Sequence, residues 1–171
     1  MSPESVLQMQ NPERYIYISV SRQQLELRDK DSILFATSVA TAKNGTGEQF
    51  GSECTPRGWH QIRAKIGAQC PENTVFVARR PTGEIYHLSL KQAQPERDWI
   101  LTRIMWLSGK EIGFNRLGRQ DTMRRYVYIH GCPDDDPMGI PSSHGCIKMR
   151  NSDVIKLFDL VETGIAVLIE A

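Results

Sequence analysis

What most restricts the fold of this chain is a succession of short β-branched and aromatic runs separated by turn residues. Tyr15-Ile16-Tyr17-Ile18 with Val20 is the first, Leu25-Glu26-Leu27 alternates as the second, and Ile33 to Val39 follows the turn Asp29-Lys30-Asp31-Ser32. Alternation at period two marks a half-buried strand, so these runs predict a three-strand meander. Further strands are predicted at Trp59 to Ile66, Thr74 to Arg79 and Glu84 to Leu90, the last two joined by a turn at Arg80-Pro81-Thr82-Gly83. Ile100 to Ser108 fits both periods and is read as a strand, and Tyr126 to Ile129 is a compact strand ending at His130. The helical pattern lies near the end, where Asn151 caps Val154, Ile155, Leu157, Phe158 and Val161. Gly164 closes that helix before a last strand, Ile165 to Ile169.

Thr41 to Gly58 contains Gly45, Gly47, Gly51, Pro56 and Gly58, a long loop of the kind that usually serves function. Residues 1–13, polar and carrying Pro3 and Pro12, read as a flexible tail, and residues 14–171 as one domain. At 171 residues a single core is large enough to hold the chain without staples, burying roughly 70% of the unfolded surface. The balance of 21 Lys+Arg against 20 Asp+Glu gives no field suited to nucleic acid or to an anionic membrane. No apolar run approaches the ~20 residues of a membrane span. The N-terminus shows neither the basic nor the apolar region of a secretory signal, so the expected location is cytoplasmic. Cys54, Cys70, Cys132 and Cys146 are too few and too uneven for a disulfide scaffold and are read as thiols.

Chemistry concentrates between Tyr128 and Asn151, where His130-Gly131-Cys132 and His144-Gly145-Cys146 stand in one loop-rich segment. A nucleophilic cysteine needs a base to take its proton and backbone N–H donors where an oxyanion develops. A histidine at a strand end and a cysteine on a glycine turn can supply both, and the proline-containing loop between them can fold back to unite them. Gly145 permits the sharp bend that exposes the thiol.

The segment resembles the signature of the YkuD-type L,D-transpeptidase family: His, a spacer, then Ser/Thr-His-Gly-Cys, a hydrophobic residue, and Arg or Asn. Thr55-Pro56-Arg57-Gly58-Trp59-His60-Gln61-Ile62 is similar to the family's Thr-Pro-x-Gly-x-Phe block, and the likeness spans Arg14 to Glu170. The resemblance implies a mainly β, mixed β-sandwich domain with one or two helices. It implies Cys146 as nucleophile, His130 as general base, and the Gly131 carbonyl as the group that orients the imidazole. The N–H groups of His144, Gly145 and Cys146 would face the oxyanion, with Ser143 supporting the turn. Lys148 stands where many members carry Arg, and with Arg150 and Tyr128 it completes the candidate substrate-binding set. His60 stands where the block usually has Phe. No cofactor and no metal are implied. The implied reaction breaks the bond between diaminopimelate and terminal D-Ala in peptidoglycan tetrapeptides, through a thioester. Without a leader, the expected outcome is hydrolysis of recycled muropeptides, an L,D-carboxypeptidase activity. Cross-linking or D-amino acid exchange is the alternative. The expected partners are these soluble peptides, with no nucleic acid and no membrane.

Other readings of the same residues are blander. Two His and two Cys form a permitted zinc set, giving a non-enzymatic thiol or metal-binding module, but the tight His-Gly-Cys spacing disfavours it. Asp134-Asp135-Asp136 reads as a solvated turn. Cys132, two residues after the base, is a second thiol that would make the site sensitive to oxidation. Arg79-Arg80 and Arg124-Arg125 read as solvated pairs that become carboxylate binders only if the fold brings them to the cysteine. His87 reads as a structural histidine on a strand.

Overall fold

The computed structural model describes residues 12–171. Of the expected tail, residues 1–11 lie outside the described part, and Pro12 and Glu13 lead into the first strand. The meander forms as β1 (Arg14–Ser19), β2 (Gln24–Asp29) and β3 (Ser32–Ser38), each antiparallel to its neighbour. After the glycine-rich loop come β4 (Gly58–Ile66), β5 (Thr74–Val77), β6 (Arg80–Ile85), helix α1 (Leu88–Ala93) and β7 (Ile100–Gly109). A short 3-10 turn at Gly118–Gln120 precedes β8 (Tyr128–Gly131) and β9 (Ile147–Met149), and α2 (Asn151–Leu160) precedes β10 (Ala166–Glu170).

The strands hydrogen-bond in the order β3-β2-β1-β10-β4-β7-β5-β6, with β8 on β7 and β9 on β8. Two pairings are parallel, β1 with β10 and β8 with β9, so the sheet is mixed. The main core forms where Ile16, Ile18, Leu25, Leu27, Ile62 and Ile129 meet Val154, Leu157 and Phe158 of α2. Burying each such side chain contributes about 1.5–3 kcal/mol, which explains why a short amphipathic helix stays docked.

The meander, β4, β7, α2 and β10 lie where the sequence puts them. The β5–β6 hairpin does not. Its turn is Ala78-Arg79, with Val77 opposite Arg80 and Phe76 opposite Pro81, rather than Arg80 to Gly83. Both turn residues have positive φ, 47° and 64°, the type I′ geometry that suits the twist of a two-residue hairpin. Pro81 fits because β6 is an edge strand and needs no N–H on its open side. β6 therefore ends at Ile85, and the residues expected to extend it form α1, with His87 exposed at its N-cap instead of on a strand. β8 begins at Tyr128, because Tyr126 takes φ 56° in a turn closed by its N–H on the Met123 carbonyl.

Asn151 is the first residue of α2, and Arg150 holds the N-cap. The Asn151 side chain points inward instead. Its Oδ1 accepts from Thr102 Oγ1 at 2.6 Å, and its Nδ2 donates to the Cys132 carbonyl at 2.9 Å and to Asn73 Oδ1 at 3.0 Å. Thr102 has φ 74°, unusual for a β-branched residue, at the register shift where β7 passes β8. This buried amide thus ties a bend in β7 to the chain just beyond His130.

Candidate active site

The parallel register of β8 and β9 sets His130 opposite Lys148 and Ile129 opposite Ile147. Side chains two apart along a strand share a face, so Tyr128 and His130 stand on the same side as Lys148 and, just before β9, Cys146. Ile129, Ile147 and Met149 point the other way, into the main core. The alternation that anchors the strands is therefore what brings the histidine and the cysteine, sixteen positions apart, to one cavity of about 280 Å³.

His130 is 1% exposed, and its Nδ1 lies 2.6 Å from the Gly131 carbonyl oxygen. A carbonyl can only accept, so Nδ1 carries the proton and Nε2 keeps its lone pair. Burial holds the imidazole pKa below its usual value, while nearby Asp98 and the Gly131 hydrogen bond act in the opposite direction. A side chain at Gly131 would collide with Asn151 Oδ1 and come within 2.6 Å of the Leu101 carbonyl oxygen. Close packing of β7, β8 and α2 thus demands glycine beside the histidine.

Cys146 is half-buried, and its Sγ accepts the Tyr128 N–H at 3.3 Å. Burial pushes the thiol up to about 12, although the Tyr128 amide and the charges of Arg125 and Lys148 pull it down. Burial therefore favours the neutral form of both groups, the thiol and the imidazole.

The cysteine turn is braced from two sides. Ser143 Oγ donates to the Cys146 carbonyl at 2.5 Å and accepts the Gly145 N–H at 3.2 Å. Gly145 has φ +127°, open to glycine and strained for other residues. Thr55 Oγ1 donates to the Gly145 carbonyl at 3.0 Å and accepts the Ala42 N–H at 3.0 Å. The two motifs legible in the sequence are therefore joined physically. Arg125 fixes the glycine-rich loop, donating to the carbonyls of Cys54 at 2.6 Å and Gly47 at 3.2 Å. The Gly145 N–H differs from expectation, since the Ser143 hydroxyl occupies it. Among the described residues, the amides of His144 and Cys146 have no such partner.

The expected substrate-binding residues divide. Lys148 and Tyr128 line the cavity, whereas Arg150 is exposed at the start of α2 with Nη1 on the Asp134 carbonyl at 3.3 Å. Lys148 is not a free cation, because its Nζ lies 3.0 Å from Asp136 Oδ2. An adjoining cavity of about 210 Å³ shares Asp98, Ser143, His144 and Lys148 with the first, and adds Glu96 and Arg97. A larger hollow of about 430 Å³ beside Arg14 and Leu160 is lined by neither cysteine nor histidine.

Sequence reasoning missed Asp98 at the cavity and left Arg79 as a carboxylate binder only on the condition that the fold bring it there. Asp98, on the loop before β7, lines both cavities. Arg79, on the hairpin turn, reaches the first. Neither belongs to a local motif, and for Arg79 the hairpin's position was the signal that could have placed it. Cys132, in contrast, is turned away. It is buried, its Sγ donates to the Met149 carbonyl at 3.2 Å, and burial raises its pKa to about 12, which leaves it unreactive. All four cysteines are free, and the described residues contain no group of three His, Cys, Asp or Glu side chains placed to hold a metal ion. His60 is buried with Nδ1 3.0 Å from the Gly58 carbonyl and Nε2 2.9 Å from Thr122 Oγ1, a structural role.

A family model described as the L,D-transpeptidase catalytic domain, YkuD, matches residues 13–169. The Bacillus subtilis (strain 168) protein YqjB, named for the L,D-transpeptidases, is 38% identical over 63 residues, covering 37% of this chain and 34% of its own length. A mutant Enterococcus faecium L,D-transpeptidase superposes with a TM-score of 0.57 at 16% identity, over 93% of this chain and 50% of the other. An L,D-transpeptidase from Mycobacterium smegmatis gives 0.56 at 19% identity, over 93% and 59% respectively. At such identities the likeness to these structures is one of fold, and the chain spans half of the first and about three-fifths of the second.

Proposed function

The chain belongs to the YkuD family of L,D-transpeptidase catalytic domains, and from that premise we propose that it is a cysteine acyl-transfer enzyme acting on peptidoglycan stem peptides. The observation that carries this reading is the fixed tautomer of His130, whose free Nε2 shares a cavity with the thiol of Cys146. In the first step Nε2 takes the thiol proton as sulfur attacks the carbonyl carbon that joins diaminopimelate to D-Ala. A C–S bond forms, and the oxyanion meets the N–H groups of Cys146 and His144. Collapse breaks the C–N bond, the imidazolium returns its proton to the departing amine, and a thioester remains.

Because burial favours the neutral thiol, proton transfer to Nε2 accompanies the attack on an aligned substrate. Ser143 is a positioning residue, holding the turn that aims both sulfur and amides. Two fates of the thioester are open. Water gives the tripeptide, the carboxypeptidase outcome that the sequence led us to expect. A specific feature favours the second reading, an amine acceptor: Glu96 and Asp98 line the adjoining cavity without a basic partner among the described residues, while Arg97 and Lys148 are paired with Glu84 and Asp136. Unneutralised carboxylates attract an ammonium group to that side.

Incubating purified protein with disaccharide tetrapeptide, with and without a D-amino acid, and following products by mass spectrometry tests both readings. Tripeptide supports hydrolysis, and exchanged or dimeric product supports aminolysis. Unchanged tetrapeptide under both conditions overturns the proposal.

A further inference from the structure

Arg79 is held as though for a ligand. It sits on the two-residue turn of the β5–β6 hairpin at φ 64°, a conformation costly for a residue with a side chain. Its guanidinium lies 4.9 Å from the ring centroid of Trp106 and 4.7 Å from that of Tyr126, and Nη1 donates to the Tyr128 hydroxyl at 2.9 Å. Two aromatic contacts and a hydrogen bond hold the group in place without neutralising it. Among the described residues it has no carboxylate partner, whereas Lys148, the other cation lining the same cavity, is paired with Asp136. The tyrosine that receives Arg79 at its hydroxyl also donates its backbone N–H to Cys146 Sγ. Cation and nucleophile are thus held by the same tyrosine and line one cavity. A peptide seated at the thiol therefore runs within the same cavity as the guanidinium.

We propose that Arg79 is the carboxylate-binding residue of the cavity, receiving an α-carboxylate that the peptide carries beside its scissile bond. The inference rests on the proposed acyl transfer at Cys146. A planar guanidinium held against two rings offers a carboxylate two parallel N–H bonds, which an ammonium cannot match. Two groups of the proposed substrate present this chemistry, the terminal carboxylate of D-Ala and the carboxylate on the D-centre of diaminopimelate.

The test compares wild-type protein with Arg79→Met and Arg79→Lys on three peptides: the tetrapeptide, its C-terminal amide, and the form amidated on diaminopimelate. Arg80→Met, an exposed neighbour on the same hairpin, serves as control, and thermal melts check folding. With the tetrapeptide, Arg79→Met is expected to raise KM about ten- to a hundredfold, with a smaller change in kcat. Arg79→Lys should recover only part of this loss, and Arg80→Met should behave as wild type. The amide that costs wild-type protein as much as Arg79→Met costs it, and on which the variant loses nothing further, identifies the bound carboxylate. Equal losses for Arg79→Met on all three peptides would overturn the proposal, as would an unchanged KM on the tetrapeptide. Failure of wild-type protein to process any of the peptides would instead overturn the acyl-transfer reading.

Discussion

His130 Nδ1 lies 2.6 Å from the carbonyl oxygen of Gly131, the next residue in its own strand, and this bond decides which ring nitrogen is basic. With the imidazole pKa lowered by burial, His130 is neutral through the neutral range. The acid limb of kcat/KM is therefore expected below the ordinary histidine value of about 6.5. With Cys146 raised to about 12, alkylation of its thiol by iodoacetamide should keep accelerating well above pH 9. A pH-independent alkylation rate from pH 5 to 8 would reveal a resting ion pair and contradict this picture. His130→Ala is expected to reduce turnover by about 10²–10⁴-fold, and Cys146→Ala to abolish it, with both variants folded by circular dichroism.

Ser143 touches the reaction only through the turn it holds. Ser143→Ala removes the donor to the Cys146 carbonyl and the acceptor of the Gly145 N–H, while leaving sulfur and imidazole in place. Each lost bond to a buried group carries about 1–3 kcal/mol, so kcat should fall about ten- to a hundredfold with little change in KM. Ser143→Thr, which keeps the hydroxyl, should restore most of the rate. If alanine and threonine variants are equally slow, steric fit rather than hydrogen bonding governs the turn.

A third expectation concerns acid stability. His60 is buried with a pKa lowered to about 4, chiefly by burial. Above pH 6.5 folded and unfolded forms are both neutral at this residue, and it contributes no pH dependence. As pH falls from about 6.5 to about 4, the unfolded chain binds a proton that the folded one refuses, so stability drops by roughly 3 kcal/mol before levelling. His60→Phe combined with Thr122→Val removes the titrating ring and the hydroxyl it would strand. Urea melts between pH 4 and 7.5 should show a flatter slope for the double variant than for wild type. Parallel slopes would place the acid sensitivity elsewhere.

Legibility in the sequence follows the range of the interactions concerned. Period-two runs with polar turns announced β1, β2 and β3, because β1 and β2 bury apolar side chains locally and β3 pairs beside them with Phe35 half-buried. Cys146 and His130 were visible because their chemistry is written within one segment. The β5–β6 turn was misplaced because Ala78 and Arg79 adopt positive φ without the glycine or asparagine that usually marks it, while Pro81 and Gly83 advertised a turn inside what became an edge strand. That shift hid the place of the Arg79 guanidinium, which stands against the rings of Trp106 and Tyr126. Asp98 likewise reaches the cavity through a tertiary contact that no local spacing encodes. Asn151 was read as a cap from its residue type, although its bonds run to Thr102, Asn73 and Cys132, partners far away in the chain.

Those bonds give Asn151 a distinctive electrostatic signature. Its Nδ2 is a donor among acceptors, facing the Cys132 carbonyl and, at 3.2 Å, Asp134 Oδ1. Asn151→Asp preserves shape but replaces that donor with an acceptor beside a carbonyl and a carboxylate, which raises the new acid's folded pKa above its unfolded value near 3.9. A raised acid pKa destabilises wherever the group is ionised, so the cost is complete above the folded pKa and shrinks as pH falls through it. Denaturant melts should show Asn151→Asp about 3–5 kcal/mol less stable than wild type at pH 7.5 and measurably closer to it near pH 4.5. Asn151→Ala, which leaves the Cys132 carbonyl and the Thr102 hydroxyl short of a partner without adding charge, should lose about 2–3 kcal/mol at both pH values. If the aspartate variant shows the same deficit at pH 4.5 and 7.5, or proves more stable than the alanine variant at pH 7.5, the amide's donor role is wrong. The bend in β7 beside His130 would then depend on packing alone.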